Sequence, residues 1–152
     1  MRYNLPVSPG EIWDMDYLIE RELVSPFVAL LGIIRAEIPE LGKARMRLTV
    51  RPELYQAQGL VHGGVLYSLA DSAVALALHS STKPAQPIAT IEAKMNYFAA
   101  VTAGEIAAEA RVEHQGRSTA VALCDVINTI GETTRRVGLM VCTFAILAEQ
   151  PG

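Results

Sequence analysis

Residues 59–82 read GLVHGGVLYSLADSAVALALHSST, a stretch in which Asp71 is the single formally charged side chain. Leu, Val and Ala fill most of the remainder, which is the composition of a helix buried on nearly every side. No other Asp, Glu, Lys or Arg occurs between Glu53 and Lys83. A carboxylate taken out of water without partners is costly, and an apolar helix gains nothing structural from one. Asp71 therefore needs a partner or a task. His62-Gly63-Gly64 opens the same stretch. Paired glycines at a helix start leave backbone N–H groups open, with the positive end of the helix dipole behind them. That arrangement suits an anion or a developing oxyanion; it equally suits a loop-to-helix junction that needs glycine for its dihedrals.

Outward from the helix the period changes to two. Upstream, Ile34, Ala36 and Ile38 alternate with Ile33, Arg35 and Glu37, and Pro39-Glu40-Leu41-Gly42 supplies a turn. Ala44, Met46, Leu48 and Val50 then alternate with Lys43, Arg45, Arg47, Thr49 and Arg51, which completes a half-buried hairpin. Downstream come strand runs at 88–98, 105–114, 118–130 and 134–147. In the first, Ala89, Ile91, Ala93, Met95 and Tyr97 face one way and Thr90, Glu92, Lys94 and Asn96 the other; the last reads as a strand buried on both sides. Strands joined by short turns are antiparallel. One apolar helix between the second and third strands has a single home, the concave face of a sheet that wraps it, with Ala70, Ala73, Ala75 and Ala77 allowing close approach. This is an α+β domain. Residues 10–24 form a short amphipathic helix ended by Ser25-Pro26, so the chain divides into an N-terminal extension, 1–24, and a domain, 25–149.

At 152 residues the chain suits one domain with a proper core, and its net charge of −3 argues against a nucleic-acid partner. Cys124 and Cys142 lie in apolar strand runs without metal-ligand spacing and read as buried hydrophobes of a reduced, cytoplasmic protein. MRYNLPVSPGEIW carries no export pattern. The paired glycines, His, Ser and central Asp argue against 59–82 as a membrane span.

Spacing constrains what the helix can do. Eight residues separate Gly63 from Asp71, about 12 Å at 1.5 Å per residue. A carbonyl held by the Gly63 N–H cannot also touch Asp71 of the same helix. If both act on one substrate, the acid comes from a second subunit whose helix runs antiparallel alongside, giving a dimer with two shared sites. Asp71 is then a nucleophile or a general base. His62 reads as a ring fixed at the helix cap in preference to a base, and His79 and His114 have no paired spacing for a metal.

The pattern Gly59-x-x-His62-Gly63-Gly64-x-x-x-x-Leu69-Ala70-Asp71 resembles the hotdog-fold acyl-CoA thioesterases of the phenylacetate-pathway (PaaI-like) type, in the 4-hydroxybenzoyl-CoA thioesterase superfamily. Pro26-Phe27 to Gly32, the strand ending at Pro52, the 88–98 strand and the His114-Gln115-Gly116-Arg117-Ser118 turn extend the resemblance over roughly residues 25–147. It implies a hotdog fold, an antiparallel sheet around one long central helix, and hydrolysis of acyl- or aryl-CoA to acid and CoA. On this resemblance Asp71 matches the catalytic acid, the Gly63 N–H polarises the thioester carbonyl, and His62 shapes the site. Gln56 stands where relatives position the nucleophile or water, and Thr90 near a residue that orients that water. Gly64 joins the substrate-binding positions, and Arg117 with Ser118 suits the CoA phosphates. Lys43, Arg45, Arg47 and Arg51 read as a solvated sheet face. No cofactor or metal is expected, and the implied assembly is a homodimer at minimum and a homotetramer. Two other readings share the fold: a protein that binds acyl-CoA without hydrolysing it, and an enoyl-CoA hydratase, which would pair Asp and His at a different spacing.

Overall fold

The computed structural model describes residues 14–82 and 86–148. Asp14 caps the first helix, α1 (Met15–Leu23), by accepting the Asp16 N–H at 2.9 Å, and Leu18 is fully buried beneath it. Residues 10–13 of the expected helix lie outside the described residues. A second helix, α2 (Pro26–Leu31), begins at the proline and stops at Gly32, whose φ of 74° is the left-handed conformation that ends helices. β1 (Ile33–Glu40) and β2 (Lys43–Thr49) form the hairpin, and a short 3-10 turn at Pro52–Leu54 leads towards α3 (Gly63–Ser81). β3 (Ile88–Tyr97), β4 (Glu105–Gln115), β5 (Thr119–Ile130) and β6 (Thr133–Ile146) complete the chain. The six strands make one sheet in the order β1-β2-β4-β5-β6-β3, every pairing antiparallel.

The sheet wraps α3, the hotdog arrangement expected from the sequence. Ala44, Met46 and Leu48 of β2, Ile106, Ala108 and Ala110 of β4, and Ala120, Ala122, Cys124 and Val126 of β5 are buried against it. From the helix side Leu69, Ala70, Ala73, Val74, Ala77 and Leu78 have no exposed surface. Small residues meet small residues, so helix and sheet approach closely. Ala75 does not belong with the other helix alanines: it falls on a half-buried stripe with Ser68, Asp71, Ser72 and His79. That stripe is the side of α3 its own sheet covers least.

Four further expectations need correction. A register shift between Ile33 and Arg35 buries Ile33 and turns Ile34 outward at 64% exposure, so the strand does not alternate as its sequence suggests. A second shift, between Thr90 and Glu92, leaves Ile91 as an extra, exposed residue. Thr90 pairs with Phe144 and Ala93 with Cys142, so both face α3, whereas strict alternation set them on opposite faces. β6 is buried on one face only, since Val141 points outward. Finally, Arg51 leaves the sheet face to donate to the carbonyls of Leu31 at 2.7 Å and Leu30 at 3.0 Å, satisfying the open C-terminus of α2. Arg45 and Arg47 do line the convex face, paired with Glu109 at 2.8 Å and Glu105 at 2.9 Å.

Candidate active site

The entrance to α3 is built by backbone. Gln56 and Gly59 close a tight turn, Gln56 N–H to Leu60 O at 2.8 Å and Gly59 N–H to Gln56 O at 3.0 Å. Val61 N–H donates to Val101 O and His62 N–H to Leu54 O, each at 2.9 Å, which fixes the segment before the helix starts. His62 is the N-cap: its Nδ1 accepts the Gly64 N–H at 2.9 Å, and its carbonyl accepts the Val65 N–H at 2.9 Å. The ring is therefore a cap, as expected, with its basic nitrogen occupied. Of these first amides, the Gly63 N–H alone has no acceptor among the described residues.

Both glycines are closely confined, Gly64 more tightly than Gly63. A Cβ on Gly64 would sit 2.9 Å from His62 Nδ1, and one on Gly63 would lie 3.2 Å from the Tyr97 ring. Tyr97 also donates its hydroxyl to Gly63 O at 3.0 Å. Beside them opens a cleft of about 350 Å³ lined by Gln56, Gly63, Leu66, Tyr97, Phe98 and Val101, among others. Gln56 thus shares the Gly63 cleft, with its side chain also bonded to Gln58 at 3.2 Å.

Asp71 does not line that cleft. It sits half-buried on α3 and accepts the Thr90 hydroxyl at 3.2 Å. Burial raises its carboxyl above the usual range, and the Thr90 hydrogen bond pulls it back down. Asp71 thus takes its hydrogen bond from the neighbouring strand and not from its own helix. The extra residue at Ile91 is what permits it, by turning Thr90 inward. Sequence reasoning missed one neighbour, Glu22 of α1. Burial raises its carboxyl; Arg21 opposes the shift and the Asp71 charge adds to it, which places Glu22 within electrostatic reach of the acid. Cys142 lies close on the sheet side, its thiol pushed up to about 12 by burial and then by Asp71. His79 is held neutral, lowered to about 4 by burial and then by Arg21.

Arg117 and Ser118 stand exposed between β4 and β5. The adjacent Gln115 clasps Ser81 through bonds of 2.8 and 3.2 Å, so this turn borders the C-terminal end of α3, opposite Gly63. Within one chain, then, the structure joins Gln56, Gly63 and Gly64 at one end of the helix, Asp71 with Thr90 at its middle, and Arg117 with Ser118 at the other end. Among the described residues no group of three or more His, Cys, Asp or Glu is placed to hold a metal ion, and no helix is long and apolar enough to cross a membrane.

Residues 58–134, which run from the turn before α3 into β6, match the family model described as the Thioesterase superfamily. The chain belongs to that superfamily. The chain is similar to the 1,4-dihydroxy-2-naphthoyl-CoA hydrolase of Listeria monocytogenes, 33% identical over 107 residues that cover 70% of this chain and 85% of that one. The acyl-coenzyme A thioesterase PaaI of Escherichia coli is 36% identical over 99 residues, 64% of this chain and 68% of that one. Among solved structures, a mutant of the phenylacetic acid degradation protein PaaI from Thermus thermophilus superposes with a TM-score of 0.68 at 32% identity, over 81% of this chain and 100% of that one. Thioesterase membership carries the enzyme class with it: a hydrolase of thioesters on a hotdog fold.

Proposed function

We propose that this thioesterase hydrolyses acyl- or aryl-CoA to the free acid and CoA, with Asp71 and the Gly63 N–H acting on one thioester across a subunit boundary. The observation that carries the reading is the pair of unfinished groups on α3: an unpaired amide facing a cleft at its start, and a half-buried carboxylate at its middle. A thioester carbonyl is electrophilic and its thiolate leaves readily, so this pair is enough. The Gly63 N–H receives the carbonyl oxygen as it gains negative charge. Asp71 then either attacks the carbonyl carbon or takes a proton from the water that attacks it. In the first route a mixed anhydride forms as CoA thiolate departs, and water opens it; in the second the tetrahedral intermediate expels CoA directly. Both consume one water and release acid and CoA.

The half-buried stripe carrying Asp71 supports a partner helix alongside, antiparallel, in a homodimer at minimum and a homotetramer as the full assembly. Gln56 lies beside Gly63 to position the nucleophile or water, and Thr90 sets Asp71. Gly64 holds its cap. Arg117 and Ser118 face the CoA phosphates from the far end of the helix, a role that needs the neighbouring subunit. A cytoplasmic location follows from the substrate. The test is release of free thiol from phenylacetyl-, benzoyl-, hexanoyl- and palmitoyl-CoA by the wild type and by Asp71→Asn. Turnover of at least one ester by the wild type, with the variant slowed by about 10²-fold or more as befits an essential acid, supports the reading. Tight binding without thiol release by the wild type would instead make the chain a non-hydrolytic acyl-CoA binder.

A further inference from the structure

We infer that Tyr97 is the positioning residue for the Gly63 amide: its hydroxyl pins the next peptide and so fixes the direction in which the Gly63 N–H points into the cleft. This rests on the thioesterase reading of that cleft and adds a residue to it.

Gly63 lies between two peptide planes. The one before it carries the free N–H; the one after it, Gly63–Gly64, is held at both ends. Tyr97 Oη donates to its carbonyl at 3.0 Å, and its N–H donates to His62 Nδ1 at 2.9 Å. The plane before Gly63 is held at its carbonyl, which accepts the Val65 N–H at 2.9 Å. Its N–H end has no such hold, and glycine on the far side, with the softest φ of any residue, adds none. An oxyanion donor works only when its direction is set before the charge develops, within about 0.5 Å and 10–20° of the productive geometry. Holding the following plane removes that freedom. The Tyr97 ring also stands where a Gly63 side chain would be, 3.2–3.3 Å from the missing Cβ, so the plane cannot tilt towards it.

Tyr97 is anchored through its backbone, with the residue 52% exposed. It is the last residue of β3 and pairs with Gly138 of β6, and the next residue, Phe98, donates its N–H to Val137 O at 2.8 Å. A Cβ on Gly138 would lie 3.2 Å from Asn96 O, so glycine there lets the strand end close down. Burial and the neighbouring Tyr67 push the Tyr97 phenol up, which keeps it a donor throughout the neutral range. The sheet thus reaches across to the helix start and sets the one amide the chemistry needs.

The experiment compares wild type with Tyr97→Phe, which keeps the ring and loses the hydroxyl, on whichever of phenylacetyl-, benzoyl- and hexanoyl-CoA the wild type turns over fastest. Removing an oxyanion donor outright costs about 10²–10³ in kcat; loosening one is expected to cost about tenfold, with KM and the thermal midpoint unchanged. A second reading uses Asp71→Asn, which binds the same thioester without consuming it. The infrared carbonyl band of the bound thioester, lowered by the Gly63 bond, is expected to move back towards its solution frequency when Tyr97→Phe is added. A kcat at the wild-type level, or a carbonyl band that does not move, overturns the inference. If Asp71→Asn is inactive while Tyr97→Phe is not slowed, the thioesterase reading stands and this inference alone falls. Failure of the wild type to release thiol from any of the esters removes both.

Discussion

Asp71 is held between two opposed influences, and the role proposed for it depends on their balance. Burial raises its carboxyl, and the Thr90 hydroxyl partly offsets that. A carboxylate needed as nucleophile or base loses activity as pH falls through its value in the folded protein. Replacing Thr90 with Val removes the lowering influence, so the acidic limb of the kcat profile is expected to move to higher pH, read by initial rates from about pH 4 to 8. The stability consequence has the opposite direction. A group whose folded value is raised contributes stability that is fully present below its unfolded value and lost as pH rises through the folded one. Asp71→Asn, which cannot ionise, is therefore expected to melt above the wild type near pH 8, with the difference closing towards pH 4. An acid whose removal stabilises the fold is one kept for chemistry.

At the scale of elements the N-terminal helix is the test case. Its sequence pattern is legible as an amphipathic helix, yet nothing in that pattern shows that Leu18 has no exposed surface or that the Asp71 charge helps raise the Glu22 carboxyl. Leu18→Ala is expected to destabilise by about 2–5 kcal/mol, measured by urea unfolding; a loss near zero would mean that α1 is detachable from residues 25–149. The long helix, the hairpin and the four later strands were readable because period two and an all-apolar helix leave few alternatives. Strand faces were less so. Ile33 and Thr90 changed sides because single extra residues shifted the register, and a shift is set by pairing with β2 and β6, which local alternation does not encode. Arg51 shows the same limit: four basic residues at regular spacing suggested one face, but the nearest open carbonyls at the end of α2 took the last of them. At the site, His62-Gly63-Gly64 and Asp71 stood out because their residue types conflict with an apolar helix. Tyr97 did not, since an aromatic at the end of a strand is ordinary until its hydroxyl is found on Gly63.

For the whole molecule the decisive quantity is the length of α3 between Gly63 at its start and Asp71 at its middle. Eight residues of helix hold Gly63 and Asp71 of one chain about 12 Å apart, so neither chain alone can bring both to one carbonyl. Subunit mixing tests this directly, using a variant that lacks each half. Gly63→Pro deletes the amide at the first helical position, where proline is tolerated, and the extended backbone of His62 at φ −62°, ψ 135° already suits a following proline. The Tyr97 ring, 3.2 Å from the new Cβ, must give slightly. Asp71→Asn lacks the acid. Each variant alone is expected to be inactive. Unfolded and refolded together in equal amounts, half of the dimers carry one chain of each kind. In those, one site has both defects and the other has neither, so about a quarter of wild-type activity should return. No recovery, in a mixture shown by sedimentation to contain hybrid dimers, would put both groups in one chain's site, and the shared helix pair would have to be abandoned.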